Sequence, residues 1–300
     1  MGTSALTRPL LLPLAGLALL IVVWGLSVPL TKLALRDFGP LTLIALRYLV
    51  AAPFFMLSLI GRPLPPRRAL AAMAGLGVLG IDIGQVAQAL GVRATSASVA
   101  TVIAATIPLF VVAFAALWLR QPIRLTHFVG LLTALLGVAL VTTSGSPGAA
   151  SVLPATLGGD ALVLLSAVSI ALYYVLGFAL ATRHSAVVMA AWSSLFAALP
   201  LIPILVWEVA AHPIRPGYLS IGIVLYLALL VTVAGMWIWL NALRALPVRI
   251  AAGTQYLQPL VGVAASAAIF GDRIGLPFAI GTALVLAGIA LSASPGRNAK

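Results

Sequence analysis

The 300-residue chain contains no cysteine and only five carboxylate side chains. The missing cysteine excludes disulfides, thiolate metal sites and cysteine nucleophiles. Charged residues make up 7% of the sequence, against about 25% in soluble domains. A chain so poor in charge cannot clothe a surface facing water, and a soluble globule is excluded. Assembled catalytic chemistry is also missing. The three histidines, His127, His184 and His212, lie at or near predicted helix ends, and no zinc motif, paired aspartates or Ser/His set falls within the apolar runs. A membrane-embedded enzyme lacks its parts. No phosphate-cradling loop for ATP is present, and no charged rings or repeated filter residues mark a pore. No cofactor or metal is expected.

What is present is apolar sequence, 63% of the chain, with a formal net charge of +12. A basic soluble protein would suggest nucleic acid, but such binders gather Lys and Arg on one face or tail. Here they stand singly between apolar runs, as polytopic membrane proteins place them. A spanning helix needs about 20 mostly apolar residues. Ten segments qualify, at approximately 10–33, 40–60, 68–92, 95–118, 122–144, 157–180, 185–207, 217–243, 247–270 and 274–293. Short turns join them, leaving no room between spans for an extramembrane domain. The first apolar run, Leu10 to Leu30, exceeds the roughly 7 to 15 residues of a signal-peptide core, so it reads as a permanent helix. Placing the N-terminus in the cytoplasm puts eleven basic residues on the inner side and five on the outer, with Arg47 inside a span. That bias, and an even number of spans, predicts that both termini are cytoplasmic.

The two halves resemble each other at an offset of 151. Pro108 falls on Pro259, Gly130 on Gly281, Gly137 on Gly288 and Arg93 on Arg244. Residues 1–148 and 149–300 therefore read as two five-helix repeats within one integral membrane domain. Five is odd, so the second repeat starts on the opposite side of the membrane and is inverted. Inverted repeats put a substrate site near the midplane and open it alternately to each side.

Particular motifs carry a family resemblance. They are Trp24-Gly25 with Lys32, Leu41 to Arg47, and Ala100 to Leu109 in the first half, and Gly159-Asp160-Ala161-Leu162 and Pro259 through Phe270-Gly271-Asp272 followed by Gly281 and Gly288 in the second. This pattern resembles the EamA family of the drug/metabolite transporter superfamily, most closely its aromatic amino-acid exporters of the YddG type. Family members usually carry Glu after the fourth and ninth helices, where this chain has Arg120-Gln121-Pro122 and Gly271-Asp272-Arg273. The resemblance implies a secondary transporter of the inner membrane exporting amino acids, aromatic ones foremost. Multidrug or polyamine export and sugar-phosphate exchange remain alternatives on the same scaffold. The expected partners are a small-molecule substrate and the bilayer, with no nucleic acid and no obligate protein.

Polar groups inside spans are costly and mark functional positions. Asp82 is the one acid deep in a span, suited to a substrate ammonium or a coupling proton; the competing reading pairs it with Arg47. Asp82, Gln85 and Gln88 share a helical face, and their repeat mates, Val233, Met236 and Trp239, are apolar. One polar wall and one apolar wall suit an amphipathic zwitterion. Among the aromatics, Trp24, Tyr173 and Trp239 fall inside spans where a ring can stack on substrate. Trp237 and Trp239 point to opposite sides, with Asn241 on the Trp237 face as the competing choice; Tyr173 and Tyr174 stay undecided. Gln255, Tyr256 and Gln258 precede Pro259. Pro259 and Pro108 each free a carbonyl in mid-span, and Gly25 with Pro29 does the same in the first helix, so these four positions are candidate hinges. Lys32 reads as a residue that reaches its ammonium to the interface.

Overall fold

The computed structural model describes residues 11–118, 125–143, 153–181, 183–211, 214, 216–246, 255–272 and 274–293. Among them the only regular structure is helical. Eight helices are long and apolar enough to cross a membrane: α1 (Leu12–Ala34), α2 (Pro40–Leu59), α3 (Arg67–Ala94), α4 (Ala97–Trp118), α5 (Leu125–Thr143), α6 (Leu157–Ala181), α7 (Ala186–Ala211) and α8 (Tyr218–Ala245). Two shorter apolar helices follow, α9 (Gln258–Phe270) and α10 (Leu276–Ala293). The expected ninth segment, 247–270, is thus helical from Gln258, after one 3-10 turn at Gln255–Leu257; residues 247–254 lie outside the described part. Large apolar side chains such as Leu19, Leu57, Leu136, Phe178 and Val206 point outward, the surface that hydrocarbon requires.

Proline explains two breaks. Pro29 cannot donate to the Gly25 carbonyl, and α1 is interrupted at Leu26. Pro108 likewise leaves Ala104 without its donor, and α4 is interrupted at Ala105–Thr106, where the Thr106 hydroxyl donates to the Ile103 carbonyl at 2.6 Å. Pro53, Pro200 and Pro203 sit inside α2 and α7 without interrupting them. Two further irregularities have no proline. Val78–Gln85 of α3 and Tyr226–Ala234 of α8 are π-helical. Shifted by the repeat offset, these segments overlap.

The main packing pairs are α3 with α6, α5 with α10, α2 with α7, α4 with α6, α1 with α8 and α3 with α7, and lighter contacts join α2 with α8, α1 with α9 and α4 with α9. At α5 and α10 the backbones nearly touch. A Cβ added at Gly137 would sit 2.6 Å from the Gly281 carbonyl oxygen, and one at Gly281 would sit 2.8 Å from that of Gly137. Gly288 faces Gly130 in the same way. As numbers rise along α5 they fall along α10, so the pair is antiparallel. Small residues permit this approach where lipid offers no hydrophobic drive between helices. Gly137→Val is expected to force the helices apart at a cost of about 1–3 kcal/mol, read as a lower unfolding temperature in detergent.

Candidate functional site

The π segment of α3 carries Asp82 and Gln85, and that of α8 carries Val231 and Thr232. A π turn bonds each donor one residue further back than an α turn and leaves carbonyls open to outside donors. Both segments use that freedom. The Leu79 carbonyl accepts from the Ser169 hydroxyl of α6 at 2.5 Å, and the Val231 carbonyl accepts from the Trp24 indole N–H at 3.0 Å.

Arg47, 8% exposed, enters this region from α2. Its Nε donates to Thr232 Oγ1 at 2.7 Å, its Nη1 donates to Gln85 Oε1 at 3.0 Å, and its guanidinium lies 5.6 Å from the centre of the Tyr48 ring. Asp82 is not among its hydrogen-bond partners. The reading of an Asp82–Arg47 pair is therefore corrected: Gln85 took the place expected for the acid, because the shared face presents both and the amide reaches the guanidinium. Asp82 Oδ1 is buried and has no hydrogen-bond partner. Tyr48, 5% exposed, is buried beside Arg47.

The aromatic candidates separate. Trp24 and Trp239 come together with ring centres 5.9 Å apart and planes at 50°. Trp237 is 37% exposed, and Asn241 is exposed on the same face. Of the tyrosines, Tyr173 lies against α3, where a Cβ added at Gly80 would meet its ring at 2.6 Å, while Tyr174 is 52% exposed. Gln88 is half-buried on α3. On the α9 side, the Gln258 amide donates to Gln255 Oε1, and Gln255 Nε2 is buried without a partner. The Tyr256 side chain lies outside the described residues. Gly25 meets α9 closely: a Cβ there would sit 2.9 Å from the Gln258 carbonyl, and one at Gly262 would sit 2.8 Å from that of Gly25. Tyr226 completes this corner by donating its hydroxyl to the Val23 carbonyl at 2.8 Å.

Lys32 departs from its expected role. Its ammonium donates to the carbonyls of Val92 at 2.9 Å, Arg93 at 3.4 Å and Thr95, so it closes the C-terminus of α3 instead of reaching for the interface. Positive charge belongs there, next to the open carbonyls and negative dipole end of a helix.

The acids outside the midplane do work that sequence reasoning missed. Asp37 Oδ2 accepts from the Gly217 N–H at 3.1 Å and the Ser220 hydroxyl at 2.7 Å, at the start of α8. Glu208 Oε2 accepts from Thr42 N–H at 2.8 Å and its hydroxyl at 2.6 Å, at the start of α2. Asp272 Oδ2 accepts from Ser98 N–H at 3.1 Å and its hydroxyl at 2.6 Å, at the start of α4. Each carboxylate caps the positive end of a helix from the other half of the chain. All three clasps lie at the end of the bundle where α1 finishes and α2 begins. The signal was present only as acids near some helix ends and Ser or Thr near some helix starts; nothing local says which cap which. The Asp37 carboxyl is held below its ordinary value of 3.8, first by the Ser220 hydroxyl and then by the Gly217 N–H. Such a clasp is complete above 3.8 and is lost only as pH falls through the lowered value. The Asp37 clasp is therefore expected to stay formed between about pH 5 and 8, measured by thiol labelling of a cysteine introduced just beneath it.

The match to known proteins fits this architecture. The model of the EamA-like transporter family matches residues 12–143 and 157–294. The chain belongs to that family. The transporter is 27% identical to an uncharacterized transporter of Archaeoglobus fulgidus, over 91% of this chain and 95% of that one. It is 28% identical to a probable amino-acid metabolite efflux pump of Salmonella typhimurium, covering 90% and 91%. A probable terminal-alkyne amino-acid exporter of Streptantibioticus cattleyicolor is 27% identical, covering 92% and 91%. A solved crystal structure of another protein superposes with a TM-score of 0.64 over 94% of this chain and 97% of that one, at 17% identity. The transporter is a multi-pass membrane protein of the drug/metabolite superfamily that moves small molecules and is not an enzyme.

Proposed function

We propose that the transporter exports amino acids, the aromatic ones Phe, Tyr and Trp foremost, across the inner membrane by alternating access between two inverted five-helix repeats, residues 1–148 and 149–300. Ten spans and cytoplasmic termini complete this reading. Supporting the inversion, α5 and α10, repeat mates at the offset of 151, run antiparallel, and the packing pairs keep their pattern when the halves are exchanged. Breaks in α1 and α4 near Gly25, Pro29 and Pro108, and the turn before Pro259, are the hinges. Two relatives named for amino-acid export support the substrate class.

The observation that carries the reading is Asp82. A buried carboxyl oxygen without a partner at mid-membrane is costly, and the nearby guanidinium is committed to Gln85 and Thr232. A substrate ammonium supplies what Asp82 Oδ1 lacks. Gln255 Nε2, a donor without an acceptor, suits the substrate carboxylate. Trp24 and Trp239 supply the ring-stacking wall; Tyr173, Gln85, Gln88, Tyr256 and Gln258 are the further contacts of this reading, whereas Asn241, exposed on the Trp237 face, falls away from that wall.

The test is efflux from proteoliposomes loaded with a mixture of labelled amino acids. Selective loss of phenylalanine, tyrosine and tryptophan over protein-free vesicles is expected. Retention of every amino acid, with release of cationic drugs instead, would replace the substrate and leave the family standing.

A further inference from the structure

The five carboxylates of the chain are unevenly placed. Asp37, Glu208 and Asp272 form the clasps, Asp160 starts α6 at the same end, and Asp82 is midway. The opposite end, where α2 finishes and α7 begins, therefore carries no acid at all, although Arg62, Arg67, Arg68, Arg183 and Arg244 stand there. A cavity of about 350 Å³ opens in that end, lined by Arg62, the rigid run Pro63 to Pro66, Arg183, His184, Ser185 and Val188. Arg62 spends one N–H on the Ser58 carbonyl at 2.8 Å and one on the Ser185 hydroxyl at 3.3 Å, which leaves three of its five donors. The first turn of α7 adds its positive dipole end, with Ser185 Oγ accepting from Val188 N–H at 3.2 Å. An apolar ledge runs away from the cavity: Leu57, Ile60 and Leu64 are 62%, 74% and 70% exposed, and Leu64 lines the cavity itself.

We infer that this cavity is a binding site for the headgroup of an anionic phospholipid, its phosphate held by Arg62, Arg183 and His184 and its acyl chain laid along Leu57, Ile60 and Leu64. A free inorganic anion satisfies the charges but has no use for the ledge. A zwitterionic headgroup brings its own cation into a site with no acid to receive it. The occupant touches the α2–α3 link of the first half and the α6–α7 link of the second. The lipid thus touches both halves at the end opposite the clasps. This site is independent of which substrate the transporter carries.

Native mass spectrometry of the purified full-length protein, delipidated and then titrated with dioleoyl phosphatidylglycerol, dioleoyl phosphatidylcholine or inorganic phosphate, tests the assignment. Phosphatidylglycerol is expected to be retained as a one-to-one adduct and phosphatidylcholine is not. The double variant Arg62→Gln, Arg183→Gln should weaken phosphatidylglycerol retention about thirtyfold, whereas Arg244→Gln, at the same end but outside the cavity lining, should leave it unchanged. Arg62→Gln also removes the bond to Ser185, so Arg183→Gln with His184→Gln, which leaves Arg62 untouched, is run in parallel and should weaken retention in the same sense. Equal retention of both lipids, equal loss in Arg244→Gln, or displacement of the lipid by phosphate at matching concentration overturns the assignment.

Discussion

Asp82→Asn is expected to reduce transport by roughly one to two orders of magnitude while leaving the unfolding temperature unchanged or slightly higher. A hydrogen bond between a carboxylate and an ammonium contributes about 1.5–3 kcal/mol, which corresponds to about a ten- to hundredfold change in affinity. The stability half of the expectation is the sharper one. Had Asp82 been locked in a pair with Arg47, removing its charge would strand a buried guanidinium and destabilise the protein by about 3–5 kcal/mol. Instead Arg47 keeps Gln85 and Thr232 in the variant, and Asp82 Oδ1 has no bond to lose. Uptake and efflux rates in proteoliposomes, together with thermal unfolding in detergent, separate the two cases. Normal kinetics in the variant would remove Asp82 from the site. Loss of transport accompanied by a large fall in unfolding temperature would make it structural.

Helix positions and the family were open to sequence reasoning because lipid imposes a coarse rule, about 20 apolar residues per crossing, that survives any error in detail. The proline breaks followed from the missing donors of Pro29 and Pro108. The offset of 151 was legible because glycines recur at it, and Gly137, Gly281 and Gly288 sit where the α5 and α10 backbones meet. The π segments left no such trace. The carbonyls those turns open are taken by Ser169 and Trp24, side chains distant in sequence, so no local pattern announces them. Partner choice was hidden for the same reason. That Asp82 and Arg47 sit at similar depth was readable, but not that Gln85, one turn along, reaches Arg47 first. Lys32 shows the limit most plainly, since a cation near a span end has the same sequence signature whether it meets the interface or caps another helix.

Glu208→Ala combined with Asp272→Ala is expected to open the clasped end. Each carboxylate bonds both the backbone N–H and the hydroxyl of its target, Thr42 or Ser98, and those targets are 0% and 2% exposed. Loss of a helix cap costs about 1 kcal/mol. Two such losses, both confined to the closed state because both clasps join opposite halves, raise the open-to-closed ratio about thirtyfold. The absence of native cysteine makes this measurable without background. Thr101→Cys places a thiol of similar size at a buried position of α4 beneath the Asp272 clasp and against Gly262 of α9. Its labelling by a membrane-impermeant maleimide from the clasped side should accelerate about thirtyfold in the double variant. A cysteine at Val188, in the cavity of the opposite end, should label more slowly from its own side if the proposed alternating access closes one end as the other opens. Faster labelling at both positions would mean that the caps hold the fold together and not the gate. Unchanged labelling at Thr101→Cys would mean that the Glu208 and Asp272 clasps do not set the balance between the two states.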